Sequence, residues 1–327
     1  MSLTFDSPRF SLRDADLGAI EAALAEIGHV VLDDLWSTPF LAALRDLAEA
    51  RFRAGDERYL GRLEGLPDSV IETYLGGVAN LGDLAPDYPL WDARFFSEVE
   101  RSGLPVLYRR LFYGDFVVSA NERVFRRLDP KFPIRFAGLH CDGQLAPLSR
   151  EARIPRELTL WTPLQPCLDE SIGRLLLLHR DEDWQGFLAE GPQIDLAGVP
   201  FGAIQLRPHQ FRDEAAASAL LDEMHAQYGR LFATRRCYAP HVPLGSAILF
   251  DKDVPHGSYH RQGMAKPRYS MDFRAVAEYR STPETHAAPG RLFSMVALPR
   301  EKAPHSLQST LRRLGLSFAD MRRRRSS

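Results

Sequence analysis

The sequence has few cysteines and no long apolar run. Its three cysteines, Cys141, Cys167 and Cys237, are odd in number and widely spaced, so neither a disulfide framework nor a CxxC zinc site is predicted. This usage favours a reducing compartment, and we expect a cytoplasmic location. The N-terminus lacks a basic segment followed by an apolar one, and no run of about 18 apolar residues occurs, so neither a signal peptide nor a membrane span is predicted.

Positive and negative side chains are nearly equal in number. Lys and Arg number 41 and Asp and Glu 43, a formal net charge of -2, so we expect no general attraction to nucleic acid or to an anionic membrane. The basic run Arg322–Arg325 is a local exception. It is interpreted as a solvated tail, with contact to nucleic acid or an acidic partner as the alternative.

What is present is the composition of a globular protein, with 45% hydrophobic residues and no internal repeat. Apolar residues at helical spacing after Asp16, followed by Gly28, predict a first helix. "HVVLDDL" predicts a strand, and Thr38 and Pro39 predict the N-cap and first residue of a second helix. Short helices and loops are expected from Arg53 to about Pro105. The inner stripe of the second helix is predicted to be Leu41, Leu44, Leu47, Ala48 and Phe52.

From Phe116 the pattern changes to short β-like runs separated by turn residues. Such spacing favours a sandwich or barrel over a parallel α/β sheet. We predict one domain that is mainly β with flanking α, in which residues 1–115 form a helical region, 116–280 the β core with a helical insert near 212–229, and 281–327 a C-terminal extension. The β-like runs are "FVVSANERVF", "IRFAGLH", "ELTLWTPL", "GRLLLLH", "GAIQLRP", "GSAILF" and "PRYSMDFRAVAEY".

A histidine and an aspartate stand two residues apart in "LHCDGQ", at His140 and Asp142. On a strand both side chains would point to one side and could bind one ion. His256, after the run "GSAILFDKDVP", is the best third ligand, and two imidazoles with one carboxylate are typical of non-haem iron(II) oxygenases. A polar turn is the alternative interpretation, and His179 with Asp181 forms a competing pair that spacing does not exclude.

A polar face is predicted for the run "RYSMDFR", which follows His256. Arg268, Ser270, Asp272 and Arg274 alternate along it and share one side. One interpretation is an edge strand whose polar face lies in water. The other is a cavity in which a guanidinium and a hydroxyl bind a carboxylate.

In order and spacing these segments resemble the iron(II)- and 2-oxoglutarate-dependent oxygenases, and among them the phytanoyl-CoA dioxygenase-like group. "EIGHVVLDDLWSTPFLAALRDL" is similar to the family's N-terminal strand and helix, and "LHCDG" to its first ligand pair. "LTLWTPLQP" with "ESIGRLLLLHR" resembles its central strand and hairpin, and "GSAILFDKDVPHGS" to "KPRYSMDF" its distal histidine and co-substrate arginine. The resemblance favours the first His-x-Asp pair, which precedes the Trp-containing strand. The second pair stands in "LLLLHRDED", where the family usually has a Pro-Gly-Ser-His turn.

The resemblance implies a double-stranded β-helix, that is, a jelly-roll or cupin-like core wrapped by N- and C-terminal helices. It also implies a dioxygenase that uses iron(II), 2-oxoglutarate and O2 to hydroxylate an aliphatic C–H of a small molecule, releasing succinate and CO2. His140, Asp142 and His256 would bind the iron. Desaturation and ring closure stay open because they begin with the same removal of hydrogen.

Further residues acquire expected roles from the same resemblance. Arg268 would bind the far carboxylate of 2-oxoglutarate, with Ser270 and Ser258 as hydroxyl partners. Trp161 and Asn121 would border the pocket, although a buried Trp is commonly part of a core. Cys141 would point away from the two ligands beside it and pack as a small residue.

The substrate is expected to be a small molecule, with an anionic compound or an intermediate of secondary metabolism as options. Arg274 would bind an anionic group of it or pair with a neighbouring acid, and Tyr259 and His260 would contact it or shape the turn. Two alternatives remain. One is a metal-dependent cupin-type hydrolase or isomerase with the same ligands and no need for Arg268; the other is a binding protein that uses the basic C-terminal tail.

Overall fold

A computed structural model gives the structure of the chain. It describes residues 3–59, 78–80, 89–114, 116–119, 124–130, 135–136, 141–142, 157–183, 204–205, 222, 225–226, 228–260, 263–277 and 294–296. The predicted site residues His140 and Asn121, the basic run Arg322–Arg325 and most of the predicted helical insert lie outside these ranges.

The helices in these ranges lie mostly in the first third of the chain. They are α1 (Leu17–Glu26), α2 (Thr38–Tyr59), α3 (Pro89–Arg101) and α4 (Leu104–Phe112), and residues 228–234 are also helical. The strands are β1 (Leu3–Thr4), β2 (Arg9–Ser11), β3 (His29–Asp33), β4 (Val78–Asn80), β5 (Phe116–Ser119), β6 (Val124–Leu128), β7 (Arg135–Phe136), β8 (Glu157–Pro163), β9 (Arg174–Leu178), β10 (Ile204–Gln205), β11 (Cys237–Tyr238), β12 (Ala247–Asp251), β13 (His256–Tyr259), β14 (Arg268–Ala277) and β15 (Ser294–Val296).

The first helix forms where its sequence signals predict. The Asp16 side chain accepts a hydrogen bond from the Gly18 amide at 2.8 Å, which caps α1. Gly28 has a φ of 99° and reverses the chain into β3, a conformation that side chains with a Cβ rarely adopt. The second helix begins one residue earlier than predicted, because the Leu41 amide donates to the Ser37 carbonyl and Ser37 therefore precedes the first turn.

Two sheets form the body of the described chain. The larger has the order β15-β5-β14-β8-β12-β3-β2, and β6 pairs with both β14 and β4. The smaller has the order β1-β11-β9-β13, and a separate pair joins β7 and β10. Most pairs are antiparallel, while β1/β11, β2/β3 and β5/β15 are parallel. The N-terminal region thus supplies strands to both sheets as well as helices.

The core lies on both sides of the larger sheet. Between the sheets, Trp161, Ile248 and Phe250 of the larger sheet cluster with Leu175 and Leu177 of the smaller one. On the opposite face of the larger sheet, apolar residues of the helices cover its alternate side chains in the largest buried cluster. The expectation of mixed β structure with flanking helices is confirmed, and the double-stranded β-helix itself stays a prediction.

None of the helices described here is long and apolar enough to cross a membrane.

Candidate metal and co-substrate site

Asp142 and His256, predicted as ligands from positions more than a hundred residues apart, lie side by side between the sheets. His256 begins β13 opposite Leu177 of β9, and its ring packs 4.5 Å from the ring of Phe250 on β12. Its Nε2 is 3.7 Å from Asp142 Oδ1. Both side chains are buried, so this pair faces the interior rather than a solvated turn.

The protonation of His256 suits a metal ligand. Its Nδ1 lies 2.9 Å from the Val254 carbonyl oxygen, which can only accept, so the proton is on Nδ1 and Nε2 presents a lone pair to Asp142. Burial lowers the pKa of His256 more than the charge of Asp142 raises it, which favours the neutral ring.

A cation fits between these two groups. His256 Nε2 and Asp142 Oδ1 are both acceptors and lie 3.7 Å apart, so a positive ion would relieve their repulsion. Metal–ligand bonds to such atoms are about 2.0–2.2 Å long, so an ion placed slightly off the line between the two atoms could contact both. Within the described ranges no group of three His, Cys, Asp or Glu side chains converges as a metal site. The third predicted ligand, His140, belongs to the part of the chain outside them.

The competing pair has a different setting. The Asp181 side chain is 68% exposed, and its Oδ2 lies 3.8 Å from Nδ1 of His179 in the same short loop. Burial is the largest cause that lowers the pKa of His179. It is therefore Asp142 whose buried carboxylate faces His256.

The polar face of β14 is buried, and its interpretation as an edge strand is wrong. Strand β14 pairs with β8 on one side and with β5 and β6 on the other. Arg268, Ser270, Asp272 and Arg274 are all buried, on the side of the larger sheet that faces the smaller one. The face is buried because β14 lies in the centre of the sheet, and the alternation of polar and apolar residues alone does not reveal that position.

Arg268 is a buried cation without a carboxylate partner in the described chain. It is 1% exposed, and its guanidinium donates to the Arg174 carbonyl at 2.7 Å and lies 3.5 Å from Ser258 Oγ. The guanidinium carbon is 5.2 Å from the centre of the Trp161 ring. Burial lowers the pKa of Arg268 to about 10, which is the electrostatic cost of a charge that lacks a counter-ion.

Arg268 and two residues on the same face of the sheet have buried polar atoms without a hydrogen-bond partner in the described ranges. Arg268 Nε, Ser270 Oγ and Trp161 Nε1 are buried and have no hydrogen-bond partner among the residues that the structure describes. Buried polar groups in proteins are normally paired. Arg268 Nε and the side chains of Ser270 and Trp161 could therefore donate to an anionic acceptor.

The other arginines on this face are paired with acids. Arg126 of β6 donates to both carboxylate oxygens of Asp272, at 2.7 and 3.1 Å. Arg274 donates to Asp142 Oδ1 at 2.5 Å, and its Nε is 3.6 Å from Glu157 Oε1. Sequence reasoning missed Arg126 and Glu157, and these cross-strand pairs have no local signal.

The side chain of Tyr259, close to the ligands in sequence, faces away from them. The Tyr259 ring packs against Tyr228 and Phe232 on the outer side of the smaller sheet, opposite to the side that carries His256 and Ser258. His260 Nδ1 lies 3.3 Å from Nε2 of His225. These contacts favour packing over substrate contact for Tyr259.

Cys141 lies in the apolar cluster on the same outer side of the smaller sheet, together with Leu176 and Leu178. Its Sγ is 3.3 Å from the Asp253 carbonyl oxygen, and burial raises the pKa of its thiol to about 12. The predicted orientation, opposite to that of Asp142, agrees with this environment.

No protein-family model and no curated protein matches the chain. Among solved structures it is similar to the epimerase SnoN in complex with Fe3+, alpha ketoglutarate and nogalamycin RO, with 16% identity and a TM-score of 0.45 over 86% of this chain and 95% of that one. EctD from S. alaskensis with 2-oxoglutarate and 5-hydroxyectoine shares 15% identity, with a TM-score of 0.45 over 84% of this chain and 78% of that one. EvdO2 from Micromonospora carbonacea var. aurantiaca shares 15% identity, with a TM-score of 0.47 over 83% and 96%. Similarity at this level assigns neither a family nor an activity to the chain.

Proposed function

We propose that the protein is an iron(II)- and 2-oxoglutarate-dependent dioxygenase that hydroxylates an aliphatic C–H of a small molecule and releases succinate and CO2. The observation that carries the proposal is the buried Arg268, which forms no ion pair with the residues that the structure describes, together with the facing pair of Asp142 and His256. A metal-dependent hydrolase or isomerase would use the same facing pair, but it has no need for a buried cation that lacks an acid.

The distance between the proposed metal ligands and the guanidinium of Arg268 suits a five-carbon dicarboxylate. Ser258, which lies beside the guanidinium of Arg268, is two residues along β13 from His256, a separation of about 7 Å at the strand rise. His256 and Ser258 stand opposite Leu177 and Leu175 on β9, both of which lie in the cluster between the sheets. One end of the co-substrate can therefore lie at the metal ligands while the other lies on Arg268.

Each residue has a defined task under this proposal. Asp142 and His256, with His140 as the third ligand, would hold the iron. Arg268 would bind the far carboxylate, with Ser270 and Ser258 as hydroxyl partners, and Trp161 would cover the guanidinium and donate its free N–H. When bound, iron(II) and 2-oxoglutarate would activate O2, which is the oxidant for the removal of hydrogen from a substrate.

The carboxylate would also relieve an electrostatic cost of the ligand-free protein. A buried guanidinium without a counter-ion is destabilising, and a charge-assisted, bidentate contact with a carboxylate offsets that desolvation. The anion would raise the pKa of Arg268 back toward its ordinary value, because an opposite charge favours the charged form. One dicarboxylate would thus supply both the hydrogen-bond acceptors and the negative charge.

The proposal is tested by measuring succinate. Purified protein supplied with iron(II), 2-oxoglutarate and O2 is incubated with pools of small molecules, including anionic ones, and succinate is measured with and without each pool. We expect at least one pool to stimulate succinate formation that depends on iron and is lost in Asp142→Ala. If 2-oxoglutarate neither binds nor is consumed, while another divalent ion supports a hydrolytic or isomerase activity, the proposal is wrong.

A further inference from the structure

A second arginine on β14 lies against the metal-ligand carboxylate itself. Arg274 is six residues after Arg268 on the same face of the strand. Its Nη2 donates to Asp142 Oδ1 at 2.5 Å, and both side chains are buried. Arg274 therefore pairs with an acid, which is the second of its two expected roles.

The other oxygen of Asp142 is also held. Thr159 of β8 donates from its hydroxyl to Asp142 Oδ2 at 2.6 Å. Thr159 and Arg274 are direct cross-strand partners in the pairing of β8 with β14, so their side chains stand next to each other on one face. Two donors from the centre of the sheet thus bind the two oxygens of a carboxylate that belongs to neither strand.

A second carboxylate, that of Glu157, lies near the Arg274 guanidinium. Its Oε1 lies 3.6 Å from Arg274 Nε, and the Glu157 side chain is buried. At 3.6 Å this contact is longer than a hydrogen bond, so Glu157 acts on Arg274 through its charge, and the guanidinium lies between two buried carboxylates that compensate its charge. The single positive charge of Arg274 is shared between two carboxylates. Asp142 is therefore only partly neutralised and can still attract a metal ion.

We propose that Arg274 is a positioning residue that, together with Thr159, orients the Asp142 carboxylate for metal binding. The proposal rests on the proposed metal site. These donors hold the two oxygens from the side of the larger sheet, and Oδ1 lies 3.7 Å from His256 Nε2. Partners that hold a ligand in this way are typically worth about 10- to 100-fold in metal affinity.

The test measures metal binding without turnover. Mn(II) is titrated calorimetrically into metal-free protein in the absence of 2-oxoglutarate, for the wild type, Arg274→Gln, Arg274→Lys and Asp142→Ala. We expect Arg274→Gln to bind Mn(II) about 10- to 100-fold more weakly, with partial recovery in Arg274→Lys, which keeps a charged donor. Arg126→Gln is the control for charge, because it removes a neighbouring cation that pairs with Asp272 and acts on Asp142 only through its charge, and its Mn(II) affinity should not fall more than about threefold below that of wild type.

Thr159→Val decides the case if Arg274→Gln does not fold. It keeps the shape of the side chain and removes only the donor to Oδ2, and it should also weaken Mn(II) binding. If Arg274→Gln or, in its place, Thr159→Val binds Mn(II) as tightly as wild type while Asp142→Ala does not bind, the positioning role is wrong and the metal site stands. If the wild type shows no binding that depends on Asp142, both the metal site and this inference fail.

Discussion

Replacement of Arg268 by methionine tests whether this cation binds a ligand or stabilises the fold. Arg268→Met removes a buried charge that forms no ion pair with the described residues, together with a 2.7 Å hydrogen bond to the Arg174 carbonyl. The lost hydrogen bond and the relieved desolvation oppose each other, so we expect the ligand-free protein to keep its free energy of unfolding within about 1 kcal/mol. Few buried arginines are expected to be replaceable at so little cost.

The same replacement should strongly weaken 2-oxoglutarate binding. A charge-assisted hydrogen bond contributes about 1.5–3 kcal/mol, which corresponds to a dissociation constant about 10- to 150-fold higher. Binding is measured by calorimetric titration of 2-oxoglutarate into the Mn(II)-loaded protein, which does not turn over, and stability is measured by urea denaturation without ligand.

Arg126→Met is the control for this experiment. Arg126 donates two hydrogen bonds to Asp272, and its loss would leave a buried carboxylate without a guanidinium. We expect a loss of about 1–3 kcal/mol in unfolding free energy, with 2-oxoglutarate affinity unchanged. The reasoning is refuted if Arg268→Met is destabilised as much as Arg126→Met and still binds 2-oxoglutarate like the wild type.

Three other predictions follow from the buried groups. Asp142→Ala should abolish succinate formation while Asp181→Ala retains much of it, and the opposite pattern in the same assay would move the metal site to the second pair. Ser270→Ala, which removes a buried hydroxyl without a partner in the described chain, should leave stability nearly unchanged and raise the 2-oxoglutarate dissociation constant about fivefold; unchanged affinity contradicts it. Burial first, and then the charge of His179, lowers the pKa of His29 from 6.5 to about 3. Between these values only the unfolded state binds this proton, so the unfolding free energy should fall by about 1.4 kcal/mol per pH unit of acidification. His29→Gln should flatten that slope in denaturation measured from pH 6.5 to 4.5, and an unchanged slope would contradict the assignment.

Local elements were predictable because their signals are local. The helix that follows Asp16, its stop at Gly28 and the alternation along β14 each depend on residues within a few positions of one another. For the same reason the sequence placed four polar side chains on one face of β14. It did not reveal whether that face meets water or protein, because the answer depends on which strands flank β14 on its two sides.

The pairing of charges within the site was beyond sequence reasoning. Arg126 and Asp272 are 146 residues apart, and Arg274 and Asp142 are 132 apart. The register between strands and the path of the loop that carries Asp142 decide these pairs, and a shift of one residue would turn each side chain to the other face. The contrast between Arg274, which pairs with an acid, and Arg268, which forms no ion pair with the described residues, therefore emerges only in three dimensions.

The central claim is that one site binds iron(II) and 2-oxoglutarate together. Anaerobic titration of the protein with both, followed by visible absorption, tests this directly, because the chelate of the two has a weak charge-transfer band that neither component shows alone. We expect a saturable band in the wild type, no band in Asp142→Ala, and a band in Arg268→Met only at much higher 2-oxoglutarate concentration. Absence of the band from folded wild-type protein at saturating iron and 2-oxoglutarate would contradict the account.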